Sequence, residues 1–223
     1  MFFKGFAKHM NPKLIVYSDE TWLSTKERTG FREWCDEDEE ANRLENKNRR
    51  NEPGAFQVWA CVGWNFKSEL IIFPAYRKEW KTDRKGVLKE AKGRAFRLNS
   101  KEYIKECLEK VQGSLAAHRD SLQWLDEGDM LFQQDHARCH DANICFEWFR
   151  QADTNLLQNF PPYSSDLNMI ELVWKDLHAA IGRRCPETEE ELIAAAKAAW
   201  AEDITYEMIN KHILHFTNAA KAI

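Results

Sequence analysis

Phe160-Pro-Pro-Tyr-Ser-Ser-Asp-Leu-Asn-Met-Ile-Glu-Leu-Val-Trp174 divides the chain into what comes before it and what packs after it. The proline pair ends the preceding element, because neither residue donates a backbone hydrogen bond and each fixes φ. A polar turn and then a helix follow. Ile170, Trp174, Leu177 and Ile181 recur at helical spacing and define a face held against a core. Glu171 stands about 100° around a 3.6-residue helix from Ile170, at the edge of that stripe. Two readings of it stay open. With Asn168 it fits a capping-box variant that satisfies an orphan backbone N–H, or it is a carboxylate placed to hold a metal.

Two short apolar runs upstream also end in an acid. Leu14-Ile-Val-Tyr-Ser-Asp19 is rich in β-branched residues and too short for a helix, so it reads as a buried strand, with Thr21-Trp-Leu23 continuing it. Met130-Leu-Phe-Gln-Gln-Asp135 follows the Gly128-Asp129 turn and reads the same way. Between them, Phe56-Gln-Val-Trp-Ala-Cys-Val-Gly63 and Glu69-Leu-Ile-Ile-Phe73 read as an antiparallel hairpin turned by Trp64-Asn-Phe-Lys67. Leu156-Leu157 is a last brief strand.

Asn99 and Glu102 cap a helix whose apolar stripe is Tyr103, Ile104, Cys107, Leu108 and Val111. Asp141 is placed to cap the next, with Ile144, Cys145, Trp148 and Phe149 as its buried face. Thr188 and Glu191 form the capping box of an alanine-rich helix after Pro186, and a final helix from Tyr206 to about Ala220 presents Met208, Ile209, Ile213, Leu214 and Phe216. Strand, hairpin, helix, strand, helix, strand, helices is a mixed α/β order, with helices covering a central sheet. At 223 residues, 43% hydrophobic, the chain suffices for one core, and we read 1–223 as a single domain with 186–223 as C-terminal helices.

Residues 25–53 break the pattern. Asp36-Glu-Asp-Glu-Glu40 precedes Arg43, Lys47, Arg49 and Arg50 with almost no apolar residues, the mark of a charged insertion. Tyr76 to Arg97 is basic, and Lys78, Lys81, Arg84 and Lys85 are its candidate phosphate contacts, although the stretch also suits a plain polar connection. The net charge of −4 argues against a protein that lives only by gripping DNA backbone, unless bound cations cancel part of the acidity. No run of eighteen apolar residues and no signal-peptide core are present, and the six cysteines show no CxxC pair, which reads as reduced intracellular thiols.

Asp19, Asp135 and Glu171 stand apart from the solvated acids. Carboxylates on apolar elements ionise cheaply only with a compensating cation or hydrogen bonds. If the two strands are neighbours and the helix packs beside them, the three meet, and hard oxygen ligands favour Mg2+ or Mn2+ over zinc. Two such ions are a known device for in-line phosphoryl transfer. His136, Cys139 and His140 have a spacing that suggests zinc, but a fourth ligand is not evident; His140 reads better as orienting Asp135 or a phosphate. Trp22, Trp59, Trp124 and Trp174 read as core.

These residues resemble a family. Tyr17-Ser-Asp-Glu-Thr-Trp22, Phe132-Gln-Gln-Asp-His-Ala-Arg-Cys-His140 and Phe160 to Trp174 are similar to the signature segments of Tc1/mariner (IS630-like) transposases, and Val58 to Gly63 with Lys67-Ser-Glu-Leu70 resembles their second and third strands. The resemblance implies an RNase H-like fold and a DDE triad of Asp19, Asp135 and Glu171 binding two Mg2+ (or Mn2+) ions, with His140 and Asn168 supporting. The last gap, 171 − 135 = 36 positions, is close to the family's. It implies cleavage at element ends and strand transfer into target DNA, a homodimer assembled on DNA through a clamp loop at 25–53, and a nuclear location in a eukaryote or a cytoplasmic one otherwise. The family usually reads Gln-Asp-Asn-Ala-Pro and Ser-Pro-Asp-Leu-Asn-Pro-Ile-Glu, whereas this chain has His136, Arg138, Ser165 and Met169. No helix-turn-helix region is read ahead of the domain, so a fragment, a decayed copy or a host-adopted derivative are all implied. The alternatives are a non-catalytic DNA-binding derivative and a stand-alone RNase H-like nuclease, which cuts but never joins.

Overall fold

The first strand, β1 (Ile15–Leu23), buries apolar residues on both faces in its first half because it lies inside a sheet. The structure, a computed structural model, describes residues 11–25, 55–74, 76–82, 86–125, 128–157, 160 and 167–221. β2 (Phe56–Gly63) runs antiparallel to β1, while β3 (Phe66–Lys67) and β4 (Ile71–Ile72) pair antiparallel with β2. The run Glu69–Phe73 is therefore a strand only at Ile71–Ile72, half of the expected turn Trp64–Lys67 forms β3, and the turn is confined to Trp64 and Asn65, where Asn65 takes φ 55°. β5 (Tyr76–Thr82) and β6 (Leu88–Ala95) form a separate antiparallel hairpin. β7 (Leu131–Gln133) and β8 (Asn155–Leu156) continue the main sheet in parallel on the other side of β1, giving the order β3-β2-β1-β7-β8.

Side chains of β1 alternate between two cores, as the two-residue period of a strand requires. Ile15, Tyr17 and Leu23 join one cluster, and Leu14, just ahead of the strand, and Val16 join the other. Over the second face lies α1, a continuous helix from 100 to 121 that is wound as a π-helix over Tyr103–Leu108. α2 (Asn143–Gln151) packs there too, bringing Phe149 to 5.2 Å from Phe132. The Asn99–Glu102 capping box forms as expected. Two expectations for α2 fail. Its N-cap is Ala142, because Asp141 turns to His136 instead, and Ile144 is exposed while Cys145 and Phe149 carry the burial.

The first face is covered by α3 (Ile170–Arg183), α4 (Glu189–Glu202) and α5 (Tyr206–Lys221). Ile170, Trp174, Leu177 and Ile181 are all buried, against Val58, Ala60 and Val62 of β2. Trp174 meets Trp200 of α4 at 5.8 Å, and Trp200 Nε1 donates to the Ser68 carbonyl at 2.9 Å. Lys67 Nζ donates to the Trp200 carbonyl and, at 2.6 Å, to that of Ile204, placing a cation on the helix's negative end. The Thr188–Glu191 capping box starts α4. Trp59 and Trp174 are core as expected, but Trp124 is exposed, and so is Leu214 on α5.

Among the described residues, Cys61, Cys107, Cys139, Cys145 and Cys185 are free thiols. No helix among those residues is long and apolar enough to cross a membrane. The charged stretch 26–54, Arg84 and Lys85 lie outside the described residues, as do the side chains of Lys78 and Lys81 on β5.

Two outcomes follow from this packing. Trp174→Ala empties a site that is 2% exposed and is expected to cost about 3–5 kcal/mol in urea unfolding; a loss under about 1 kcal/mol would mean the helix layer does not rest on this residue. His118 stacks on Phe66 at 4.5 Å with Nε2 buried and unpartnered, and burial pushes its pKa down to about 4. The native state thus binds fewer protons than the unfolded chain, so this contribution is intact above about pH 6.5 and is lost as pH falls toward 4. Relative to His118→Phe, the wild type is expected to lose roughly 3 kcal/mol across that window; parallel stability curves would contradict it.

Candidate active site

The register between β1 and β7 delivers two acids to one edge. Their ladder ends at Tyr17 opposite Gln133; Asp19 stands two residues further along β1, and Asp135 two residues past the end of β7. The Ser18 hydroxyl donates to the Gln133 carbonyl at 2.8 Å and ties the strand ends together where the ladder stops. This is the carboxyl end of the parallel strands, where open α/β sheets commonly bind ligands.

α3 brings the third acid. Leu167, Met169 and Ile170 are all buried, so the entry to the helix is held by packing where the resembling family has proline at the position of Met169. Ser165, the other departure in this turn, lies outside the described residues. Asn168 does not cap the helix with its side chain. Its Nδ2 donates to the Ser18 carbonyl at 3.2 Å and reaches Asp19 Oδ2 at 3.5 Å, while Glu171 N–H donates to the Asn168 backbone carbonyl at 3.1 Å. The capping-box reading of Asn168 and Glu171 is therefore replaced by a strut from the start of α3 to the middle of β1.

Electrostatics single out Asp19. Burial pushes its carboxyl well above the usual range, the charges of Glu20 and Glu171 push it further, and Asp135 adds to them. The Glu20 backbone N–H, 2.8 Å from Oδ1, opposes the shift. A partly buried acid on which three other carboxylates act is a site short of positive charge. The donor set is all hard oxygen, which fits Mg2+ or Mn2+ in both chemistry and charge. Among the described residues, no three His, Cys, Asp or Glu side chains already close around one ion, so the acids border a common corner without forming a finished cage.

Asp135 is held differently. His140 Nδ1 lies 2.6 Å from Asp135 Oδ1, and its Nε2 lies 3.2 Å from Glu20 Oε1. A neutral imidazole has one N–H, so bonds to carboxylates at both nitrogens call for the doubly protonated ring. Burial opposes that charge, but Glu20 foremost, with Tyr103 and the Asp135 hydrogen bond, holds the His140 pKa well above its ordinary value. Burial likewise works to raise Asp135, yet the hydrogen bond and charge of His140 and the Ala137 N–H hold its carboxyl below the usual range. Tyr103 packs on the His140 ring at 4.3 Å, and its hydroxyl donates to Gln134 Oε1 at 3.0 Å.

Of the two expectations for His140, orienting Asp135 or a phosphate, the ring's hydrogen bonds are to Asp135 and Glu20. The zinc spacing does not gather a site: His136 turns its nitrogens to Asp141 and the Phe160 carbonyl, and both nitrogens of His140 are engaged. Sequence reasoning passed over Glu20, Tyr103 and Gln134. Tyr103 was assigned to a core stripe, and Glu20 carried one signal, its place next to Asp19 in a strand whose alternation sends it to the opposite face.

Over residues 14–193 the sequence matches the family described as DDE superfamily endonuclease. The transposase of the transposable element Tcb1 from Caenorhabditis briggsae is 34% identical over 70 residues, covering 31% of this chain and 25% of that protein. The structure of the Mos1 mariner paired-end complex with Mn is similar over 99% of this chain and 57% of that one, with a TM-score of 0.64 at 15% identity. The Mos1 transposase catalytic domain with Raltegravir and Mg is similar over 98% of this chain and 86% of that one, with a TM-score of 0.57 at 13% identity. At such identities the likeness establishes the fold, the RNase H-like mixed sheet flanked by helices that the sequence resemblance implied. This chain spans a quarter of the curated relative and 57% of the paired-end Mos1 chain. With its family match extending from the start of β1 into α4, the chain belongs to the DDE superfamily endonucleases.

Proposed function

We propose that this chain is the catalytic domain of a DNA transposase of the Tc1/mariner type, with Asp19, Asp135 and Glu171 as its metal-holding triad. The observation that carries the reading is Asp19, partly buried midway along β1 just past the end of its pairing with β7, its carboxyl pushed up by desolvation and then by the charges of Glu20, Glu171 and Asp135. Bound Mg2+ or Mn2+, two ions in this proposal, would supply activation of the attacking oxygen and stabilisation of the leaving one.

The chain's own residues prepare that chemistry. Asn168 fixes the start of α3 to β1, so Glu171 and Asp19 keep their relative placement. His140 restrains Asp135 through one oxygen. Cleavage replaces one P–O bond with another using water, and joining does the same using the freed 3′-hydroxyl, so no covalent protein–DNA intermediate and no energy source are required. Lys78, Lys81, Arg84 and Lys85 are the proposed backbone contacts, and 25–53 the proposed contact with a second copy when two DNA ends are brought together. In a eukaryotic cell this work belongs in the nucleus.

The test is nicking of supercoiled plasmid DNA, followed by strand transfer from a pre-cut end, with Mg2+ or Mn2+. Wild type is expected to nick, and Asp135→Ala to lose roughly a thousandfold or more, the equivalent of several kcal/mol of lost metal-based stabilisation. Equal rates in wild type and variant would overturn the triad; nicking without joining would leave a nuclease.

A further inference from the structure

The strand that carries Asp19 carries a second acid on its other face, and the triad makes no use of it. Glu20 is 12% exposed by its side chain and His140 1%, whereas Asp135 is 48% exposed. A chain of contacts thus runs from a buried carboxylate, through a buried ring, to a carboxylate that opens on the solvent side. We propose that Glu20 is a positioning residue for the reaction: by fixing the His140 ring, it sets which oxygen of Asp135 is presented to the catalytic ions. The inference rests on the proposed function and deepens it.

Both bonds that restrain Asp135 fall on the same atom. Oδ1 receives His140 at 2.6 Å and the Ala137 N–H at 2.9 Å, and Oδ2 has no hydrogen bond among the described residues. One oxygen is therefore anchored and the other left for a ligand. The anchor is only as good as the ring's orientation. Tyr103 lies against one side of the imidazole, centroid to centroid 4.3 Å with the planes 44° apart, and such a contact leaves the ring free to turn in its own plane. Glu20 Oε1, 3.2 Å from Nε2, is the contact that stops that rotation. The frame is further closed by Gln134, which accepts from Tyr103 at 3.0 Å and donates to the His140 carbonyl at 3.4 Å.

A purely structural pair would look similar in burial, because a buried ion pair is often replaceable by apolar side chains without loss. The two roles separate on ligand length. Glu20→Met removes the acceptor, and Glu20→Asp keeps the charge but draws the carboxylate back by about one C–C bond, ~1.5 Å. Glu20→Gln keeps an acceptor at the same reach. Partners of this kind behind a metal ligand carry roughly 10–100-fold in metal affinity or rate.

The experiment measures Mn2+ binding by calorimetry and plasmid nicking at saturating Mn2+ on the same preparations, with thermal unfolding alongside. Glu20→Met and Glu20→Asp are expected to weaken Mn2+ binding and lower kcat each by roughly 10–100-fold, with KM for plasmid DNA unchanged, and Glu20→Gln, which keeps the reach but not the charge, to lose clearly less than Glu20→Asp. Should Glu20→Met fail to fold, Glu20→Asp against Glu20→Gln decides alone. Glu20→Asp matching wild type, or Glu20→Gln as damaged as Glu20→Asp, overturns the positioning role. A wild type that binds no Mn2+, or an Asp19→Asn variant that nicks as fast as wild type, brings down the proposed function and this inference with it; a flat Glu20 series beside an inactive Asp19→Asn brings down the inference alone.

Discussion

Like charges gathered at a buried corner set the terms for the rest of this structure. Asp19 sits midway along a strand with apolar cores on both sides, where the pairing with β7 stops, and every acidic neighbour that acts on it makes its ionised form harder to keep. Folding alone would not favour such a corner. Two elements nevertheless enforce it: the parallel pairing of β1 with β7, which cannot shift by a residue without turning both strands inside out, and the seat of α3, pinned by Ile170 and Trp174 below and by Asn168 at the edge. The stability of the sheet and its helix layer therefore sustains an arrangement that is locally unfavourable until a cation arrives.

β1 solves two problems with consecutive residues. Asp19 faces the α3 side, and Glu20, turned to the other face by strand alternation, reaches the His140 that restrains Asp135. The two carboxylates thereby differ in character. Asp19 is held above its ordinary pKa by burial and repulsion, Asp135 below it by an adjacent histidine that is itself kept charged by Glu20. Environments that push neighbouring acids apart in this way are a recurring mark of reactive sites.

Much of this was legible because it is written locally. An apolar run ending in an acid identified β1 and β7, a helical stripe identified α3, and the Asn99–Glu102 and Thr188–Glu191 boxes form as their spacing demands. Other features are tertiary and left little local trace. Asn168 followed by Glu171 looks like a cap from sequence, and only the neighbouring strand shows that the amide bonds across to β1 instead. Glu20 acquires meaning from residues 115 to 120 positions away that meet it through the fold, at Asp135 and His140. The β5–β6 hairpin escaped notice because strands so rich in charge lack the apolar alternation by which strands are recognised. Ile144 is the converse case: an apolar side chain at helical spacing reads as buried, and it lies at the surface.

The most direct measurement compares unfolding free energies of wild type and Asp19→Asn, first with metal removed and then with Mn2+. Without metal, the variant is expected to be the more stable, since a repelled, partly desolvated carboxyl has been replaced by a neutral side chain of the same shape. With Mn2+ at a hundred times its dissociation constant, wild type is expected to gain about 2.7 kcal/mol and the variant almost nothing, so the order narrows or reverses. If Mn2+ raises both equally, or neither, the carboxylates around Asp19 do not form a cation site and the account is wrong.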